Sequence, residues 1–318
     1  MTLILAQASR WFALQVGDRL VTRAGRAFNR VSNKNVLFRA QDAIVTFGYT
    51  GFAYLEGTTT DQWIAEVLNG QAFPRRERPP SLQLGAAPLR CTHIGPALQR
   101  LEVRLRQTFA AMSHRADART MMVEVLGSGW QWSRRHPPRP ILVGLRKQAG
   151  TLDVTVWRSV RHVGRGYQFA ATPEVNLQTS DVDVIRSGLR GIQSPDDAEQ
   201  VMVRAIRAVS KRLSSVGPDC MSILIPPPAV GWARIRYIPV APAGLVLRSR
   251  SDGRIVTTAP ASFSPWVVAP GLVHAPSVLA GHMTLHAGDF TVHLEAPELK
   301  GPGLRGAMGS LEPPPEPR

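Results

Sequence analysis

Four short apolar runs crowd into the first 48 residues, and their lengths leave little choice of structure. Residues 2–8, 11–16, 35–39 and 43–48 are each too short for a stable helix. A turn joins the first run to the second, and another joins the third to the fourth. The chain must therefore begin by laying down β-strands.

Helical spacing appears only afterwards. A first helix is predicted from Thr59 or Thr60 to Asn69-Gly70, with Gln62 placed for a capping box and Trp63, Ile64, Val67 and Leu68 on one face. A polar, Pro- and Arg-rich stretch runs from Phe73 to Pro80. A second helix starts near Gly95-Pro96 and repeats Leu98, Leu101, Leu105 and Met112. Strands are expected over 121–126, 141–146 and 152–157. Ser194-Pro195-Asp196-Asp197 then opens a third helix with a serine cap, a first-turn proline and two acids. A last strand over 221–225 closes at Pro226-Pro227-Pro228. This order gives an α+β layering. Residues 229–300 show short β-like runs and no helix, and read as a small β-rich C-terminal extension, either its own subdomain or strands lying against the preceding layers. The Gly- and Pro-rich tail, 301–318, is expected to be disordered.

Composition sets outer bounds. A chain of 318 residues, 44% hydrophobic and 19% charged, can bury a full core. No run approaches eighteen apolar residues, so no membrane partner is expected. The N-terminus lacks a basic region followed by a long apolar run, as a signal peptide would have. Cys91 and Cys220 have neither disulfide-framework nor metal-like spacing, which suits a reducing cytoplasm. The net charge of +15 is nearly all arginine, in a chain also rich in Ala, Gly and Pro, and reads as compositional bias. Trp130-Gln131-Trp132-Ser133-Arg134-Arg135-His136 interleaves aromatics with cations, as single-strand binders do. Its place ahead of two prolines makes a solvated hairpin loop the better reading, and nucleic acid is not the favoured partner.

The residues with most chemical content are Thr2, Asp18, Lys34 and Gly48. Removal of Met1 would make Thr2 a nucleophile and its own general base, since a free α-amine can take the hydroxyl proton. An α-amine has a pKa of roughly 7.7–8, and a nearby cation such as Lys34 lowers it. Asp18 can hold Lys34 in place. Gly48 can bring a backbone N–H to a developing oxyanion with no side chain in the way.

These four residues, with Leu3-Ile4-Leu5-Ala6, Gly17-Asp18-Arg19, Asn33-Lys34-Asn35-Val36 and Ala43 to Gly51, resemble catalytic proteasome β-subunits and related N-terminal-nucleophile hydrolases over about residues 2–228. The resemblance implies a four-layer αββα sandwich over 1–228. It assigns Thr2 as nucleophile, Asp18 and Lys34 as its support, and Gly48 as oxyanion donor. It also places Thr22 on the substrate backbone, with Val21, Ser32, Thr46, Thr50 and Tyr54 lining the first specificity pocket. No cofactor is required, and a homo-oligomer is implied. The family's supporting Ser-Gly pair is missing: the stretch reads Gly166-Tyr167-Gln168-Phe169-Ala170-Ala171-Thr172-Pro173, where Thr172 is the one substitute. The later Asp-x-x-Ser-Gly pattern is not intact either.

Other motifs carry little. His282 and His286 lack the glutamate of a helical zinc motif, so no metal is expected. Leu126-Gly127-Ser128-Gly129-Trp130 is not a nucleophile elbow, and Gly164-Arg165-Gly166 reads as a turn. The sequence thus points to an amide-bond hydrolase, a threonine-type peptidase, acting on a peptide or other amide. A non-catalytic scaffold or binding protein of proteasome fold is the alternative, followed by an anion- or nucleic-acid-binding protein.

Overall fold

The computed structural model describes residues 2–23, 26–29, 32–70, 72–73, 93–114, 119–120, 122–151, 153–159, 167–173, 177–240, 247–249, 255–257, 262–276, 278–279 and 281–297. The tail 301–318, Cys91, Gly164 to Gly166 and nearly all of the Pro- and Arg-rich stretch lie outside the described residues.

Fourteen strands build two seven-stranded sheets. In chain order they are β1 (Ile4–Ser9), β2 (Ala13–Asp18), β3 (Asn35–Arg39), β4 (Ala43–Thr50), β5 (Val123–Ser133), β6 (His136–Lys147) and β7 (Val154–Ser159). Then come β8 (Tyr167–Thr172), β9 (Cys220–Ile225), β10 (Trp232–Ile238), β11 (Trp266–Ala269), β12 (Leu272–His274), β13 (His282–Ala287) and β14 (Phe290–Glu295). One sheet runs β8-β1-β2-β9-β10-β14-β13 and the other β7-β6-β5-β4-β3-β11-β12. Neighbours are antiparallel except β10 with β14 and β3 with β11, which are parallel. The tight turns after β1, β3 and β5 favour antiparallel hairpins, whereas each parallel pair needs a long crossover.

The sheets bury apolar faces against each other. Ile4, Ala6 and Ala8 of β1 meet Leu126 of β5 and Leu142 of β6. Towards the opposite edge Ile223, Ile235, Leu285 and Val292 share a core with Leu37, Ile44, Trp130 and Val267. Four α-helices occur among the described residues: α1 (Thr60–Asn69), α2 (Ile94–Ala111), α3 (Thr179–Leu189) and α4 (Pro195–Ser210). Leu3, Leu5, Leu14 and Val16 are covered by Ile185, Leu189, Met202 and Ile206 of α3 and α4, which explains why β1 and β2 are buried on both faces.

The helix ends show local chemistry at work. Gly70 closes α1 at φ 79°, a left-handed conformation that suits glycine. The capping box expected at its start does not form: Thr59 makes no cap bond, and Gln62 Nε2 instead donates to Glu66 Oε1 at 2.8 Å. Ser194 does cap α4, its hydroxyl accepting the Asp197 N–H at 3.3 Å. Helix α3 is an addition to the predicted order, closed at its start by reciprocal Gln178 and Asp181 bonds.

The expected αββα sandwich with a C-terminal extension requires correction. The architecture is mainly β, two large mixed sheets with a minority of helix. Strands β10, β13 and β14 complete the first sheet, and β11 and β12 the second. On β13 and β14 burial alternates, leaving His282, Thr284, His286 and His293 exposed opposite a buried face. That half of the first sheet presents a solvated outer face.

One buried acid sets a stability window. Burial pushes the Asp61 carboxyl at the start of α1 up to about 6, against hydrogen bonds from Thr59 and the Gln62 and Asp61 backbone. A raised folded-state pKa gives stability that is full below the unfolded value near 4 and lost as pH rises through about 6. Urea unfolding from pH 4 to 7 should therefore show native stability falling relative to Asp61→Asn by about 2 kcal/mol. Parallel curves would remove Asp61 as the source.

Candidate active site

Strand ends converge on Thr2. Asp18 closes β2, Lys34 immediately precedes β3, and Gly48 and Thr50 lie in the last turn of pleat of β4. Pairing of β1 with β2 sets Ile4 opposite Gly17, and pairing of β3 with β4 sets Asn35 opposite Gly48. The two sheets bring these pairs together, and Thr2 sits just before β1 at their edge, 6% exposed.

Asp18 organises the site. Its Oδ1 accepts the Leu3 N–H at 2.7 Å, and its Oδ2 accepts the N–H groups of Leu20 at 3.0 Å and Gly217 at 2.9 Å. Lys34 Nζ lies 3.1 Å from Oδ2 and 3.3 Å from Oδ1, and also donates to the Leu20 carbonyl. Both side chains are sealed from solvent, Lys34 at 1% and Asp18 at 0% exposure. Burial pushes the Lys34 ammonium down from its ordinary range, opposed by the Asp18 charge. The Thr2 N–H donates to Thr50 Oγ1 at 3.4 Å, and the Thr50 hydroxyl donates back to the Thr2 carbonyl at 3.4 Å.

Glycine at 48 is required by packing. A Cβ there would lie 2.8 Å from Asn35 Oδ1 and 3.0 Å from Ile4 Cγ2, both buried. Gly48→Ala should lower stability by about 1–3 kcal/mol through forced movement of β1 against β3. A melting temperature within a degree of native would show that Asn35 yields freely.

The six residues assigned to substrate occupy different settings. Thr50 touches Thr2. Val21 and Thr22 are half-buried in a short ladder, Val21–Arg23 with Arg26–Asn29, and Ser32 is half-buried just before Lys34. Tyr54 is 54% exposed. Thr46 is fully buried between the sheets, donating to Gln15 Oε1 at 2.9 Å.

Two groups went unassigned in the sequence. Arg19 is buried, donates to the Ser32 carbonyl and to Asn33 Oδ1, and rests 4.5 Å over the Tyr237 ring; burial lowers its pKa to about 10. It anchors the chain entering Lys34. Glu124 is buried on β5 and accepts from Arg146 Nε and from the Thr172 hydroxyl. Thr172 thus bonds across the sheets. The Gly17-Asp18-Arg19 motif marked the first of these; no local pattern marked the second.

Two cavities lie away from Thr2. One of about 580 Å³ sits between α1 and α2, beside Trp63, Val67, Pro96 and Arg100. Another, about 530 Å³, is lined by Arg39, Trp132, Arg134, Arg135 and His136. There Arg39 already covers the Trp132 ring at 4.6 Å, occupying the face a base would stack on. Among the described residues no His, Cys, Asp and Glu group could hold a metal, and no helix is long and apolar enough to cross a membrane.

No family model and no curated protein matches the chain. Among solved structures it is similar to an Anbu mutant from Hyphomicrobium sp. strain MC1, at TM-score 0.48 and 11% identity, covering 76% of this chain and 88% of that one. It is also similar to Anbu (ancestral beta-subunit) from Yersinia bercovieri, at TM-score 0.43 and 13% identity, covering 70% and 81%. These findings correct the resemblance drawn from the sequence. The catalytic proteasome β-subunit family is not matched by any family model, and the two similar structures named above are Anbu proteins.

Proposed function

We propose that this chain is an amide-bond hydrolase, acting on peptides, whose nucleophile is Thr2 after removal of Met1. The observation that carries the reading is the sealed Asp18–Lys34 pair, tied through the Leu3 N–H to the residue next to Thr2. A buried ammonium so placed favours the neutral form of a freed Thr2 amine. That amine takes the proton from Thr2 Oγ as the oxygen attacks the substrate carbonyl. The tetrahedral oxyanion is received by the Gly48 N–H, with Lys34 adding positive potential. Collapse breaks the C–N bond, the amine returns its proton to the leaving nitrogen, and an ester on Thr2 remains. Water, deprotonated by the same amine, then releases the acid. Thr22 holds substrate backbone, while Val21, Ser32, Thr50 and Tyr54 flank the entering side chain.

A non-catalytic protein is the competing reading, favoured by the three backbone N–H groups that Asp18 satisfies, which would serve the fold with no chemistry at all. Intact mass before and after treatment with a threonine-reactive β-lactone separates the two. Loss of Met1 and a single adduct are expected of the hydrolase. Failure to label after dedicated Met1 removal would sink it.

A further inference from the structure

Near Thr2 the structure holds a second charge pair, a buried Glu124 with a partly exposed Arg146. Cross-strand register puts Thr50, Glu124 and Arg146 in one row on β4, β5 and β6. Residues directly opposite in antiparallel strands place their Cβ atoms about 5 Å apart on the same face. Thr50 turns its hydroxyl to Thr2, so Glu124 lies one side chain from the Thr2 nitrogen. From the other sheet Thr172, opposite Ile4 on β1, donates its hydroxyl to Glu124 Oε2, while Arg146 Nε donates to Oε1. The Glu124 side chain is only 5% exposed and Arg146 35% exposed. A carboxylate this buried, gripped from both sheets, has its direction fixed.

We propose that Glu124 is a positioning residue that orients the freed Thr2 amine, with Thr172 and Arg146 fixing its carboxylate. This rests on the hydrolase reading above. Among the described residues, the charged groups these contacts gather are Lys34, Asp18 and Arg19 at the ends of β2 and β3, and Glu124 with Arg146 on β5 and β6. The β4 and β8 residues in the same contacts, Thr50 and Thr172, are neutral. A carboxylate nearby holds the ammonium form and an arginine disfavours it, so the two members of the second pair must act with opposite sign.

The test is the pH dependence of β-lactone labelling of the full chain with Met1 removed, followed by intact mass. Glu124→Gln keeps the shape and loses the charge; its one oxygen can still accept from Arg146 Nε, while its amide can donate to the Thr172 hydroxyl in place of accepting from it. Its acid limb should move to lower pH by about half a unit to one unit. Arg146→Gln, at a half-exposed position, should move the limb the other way. A merely structural Glu124 would lower stability or rate with both limbs unmoved, and that result overturns the proposal, as do shifts of the same sign. Native chain that never labels would remove the hydrolase reading itself, and the positioning role with it. Should Glu124→Gln fail to fold by circular dichroism, the Arg146→Gln limb decides alone.

Discussion

Thr2→Ala, prepared with Met1 removed from an otherwise native chain, will show no β-lactone adduct and lose amide hydrolysis by about 10⁴-fold or more. The size follows from what the substitution removes. Alanine deletes the only attacking oxygen while leaving the amine, the Asp18–Lys34 pair and Gly48 in place. Groups that act as one unit lose nearly everything when any one goes, so no graded decline is expected.

Two controls make that loss interpretable. The bonds that join Thr2 to Thr50 use its backbone nitrogen and carbonyl, which alanine keeps, so the melting temperature should move by less than about 3 °C. Thr2→Ser retains a hydroxyl and should retain the adduct. Hydrolysis that survives Thr2→Ala in a chain lacking Met1 would place the nucleophile elsewhere and discard the assignment.

How much of this was open to reading follows from sequence distance. Strands β1 to β4 were legible because short apolar runs and tight turns are local signals, and the strands differ from expectation by a few residues at their ends. Helix α3 was not legible. Only Ile185 and Leu189 of its eleven residues are buried, so no apolar period betrays it, and its cap is a glutamine. The destination of residues 232–295 was equally hidden. Short β-runs announce strands, but parallel pairing of Trp266 with Val36, or Trp232 with Thr291, is decided by packing across long separations. The same divide runs through the site. Thr2, Asp18, Lys34 and Gly48 were chosen by residue type and spacing, and the fold gathers them around β1. Glu124 meets Arg146 only through β5–β6 register and Thr172 only because two sheets stack, and neither relation leaves a mark in composition or period.

The Asp18–Lys34 pair allows the second large effect, on stability. Asp18→Ala should cost about 3–5 kcal/mol, since it strands a buried ammonium and leaves the N–H groups of Leu3, Leu20 and Gly217 without their acceptor. For a chain of this size that is a fall of about 5–8 °C in melting temperature. Lys34→Met leaves the carboxylate its three backbone donors and should cost less. The double variant tests the origin of the loss. If the stranded charge dominates, Asp18→Ala with Lys34→Met will be more stable than Asp18→Ala alone, the coupling exceeding about 1 kcal/mol. Burial also fixes a pH signature: Lys34, its pKa held down in the folded state, opposes folding while protonated, so relief comes as pH rises towards its unfolded value near 10.4. The Asp18→Ala chain, lacking the compensating anion, should therefore gain stability relative to native from pH 7 to 9. Additive single losses and no gain with pH would show that Asp18 matters as a backbone clasp, and Lys34 would lose its claim to tune Thr2.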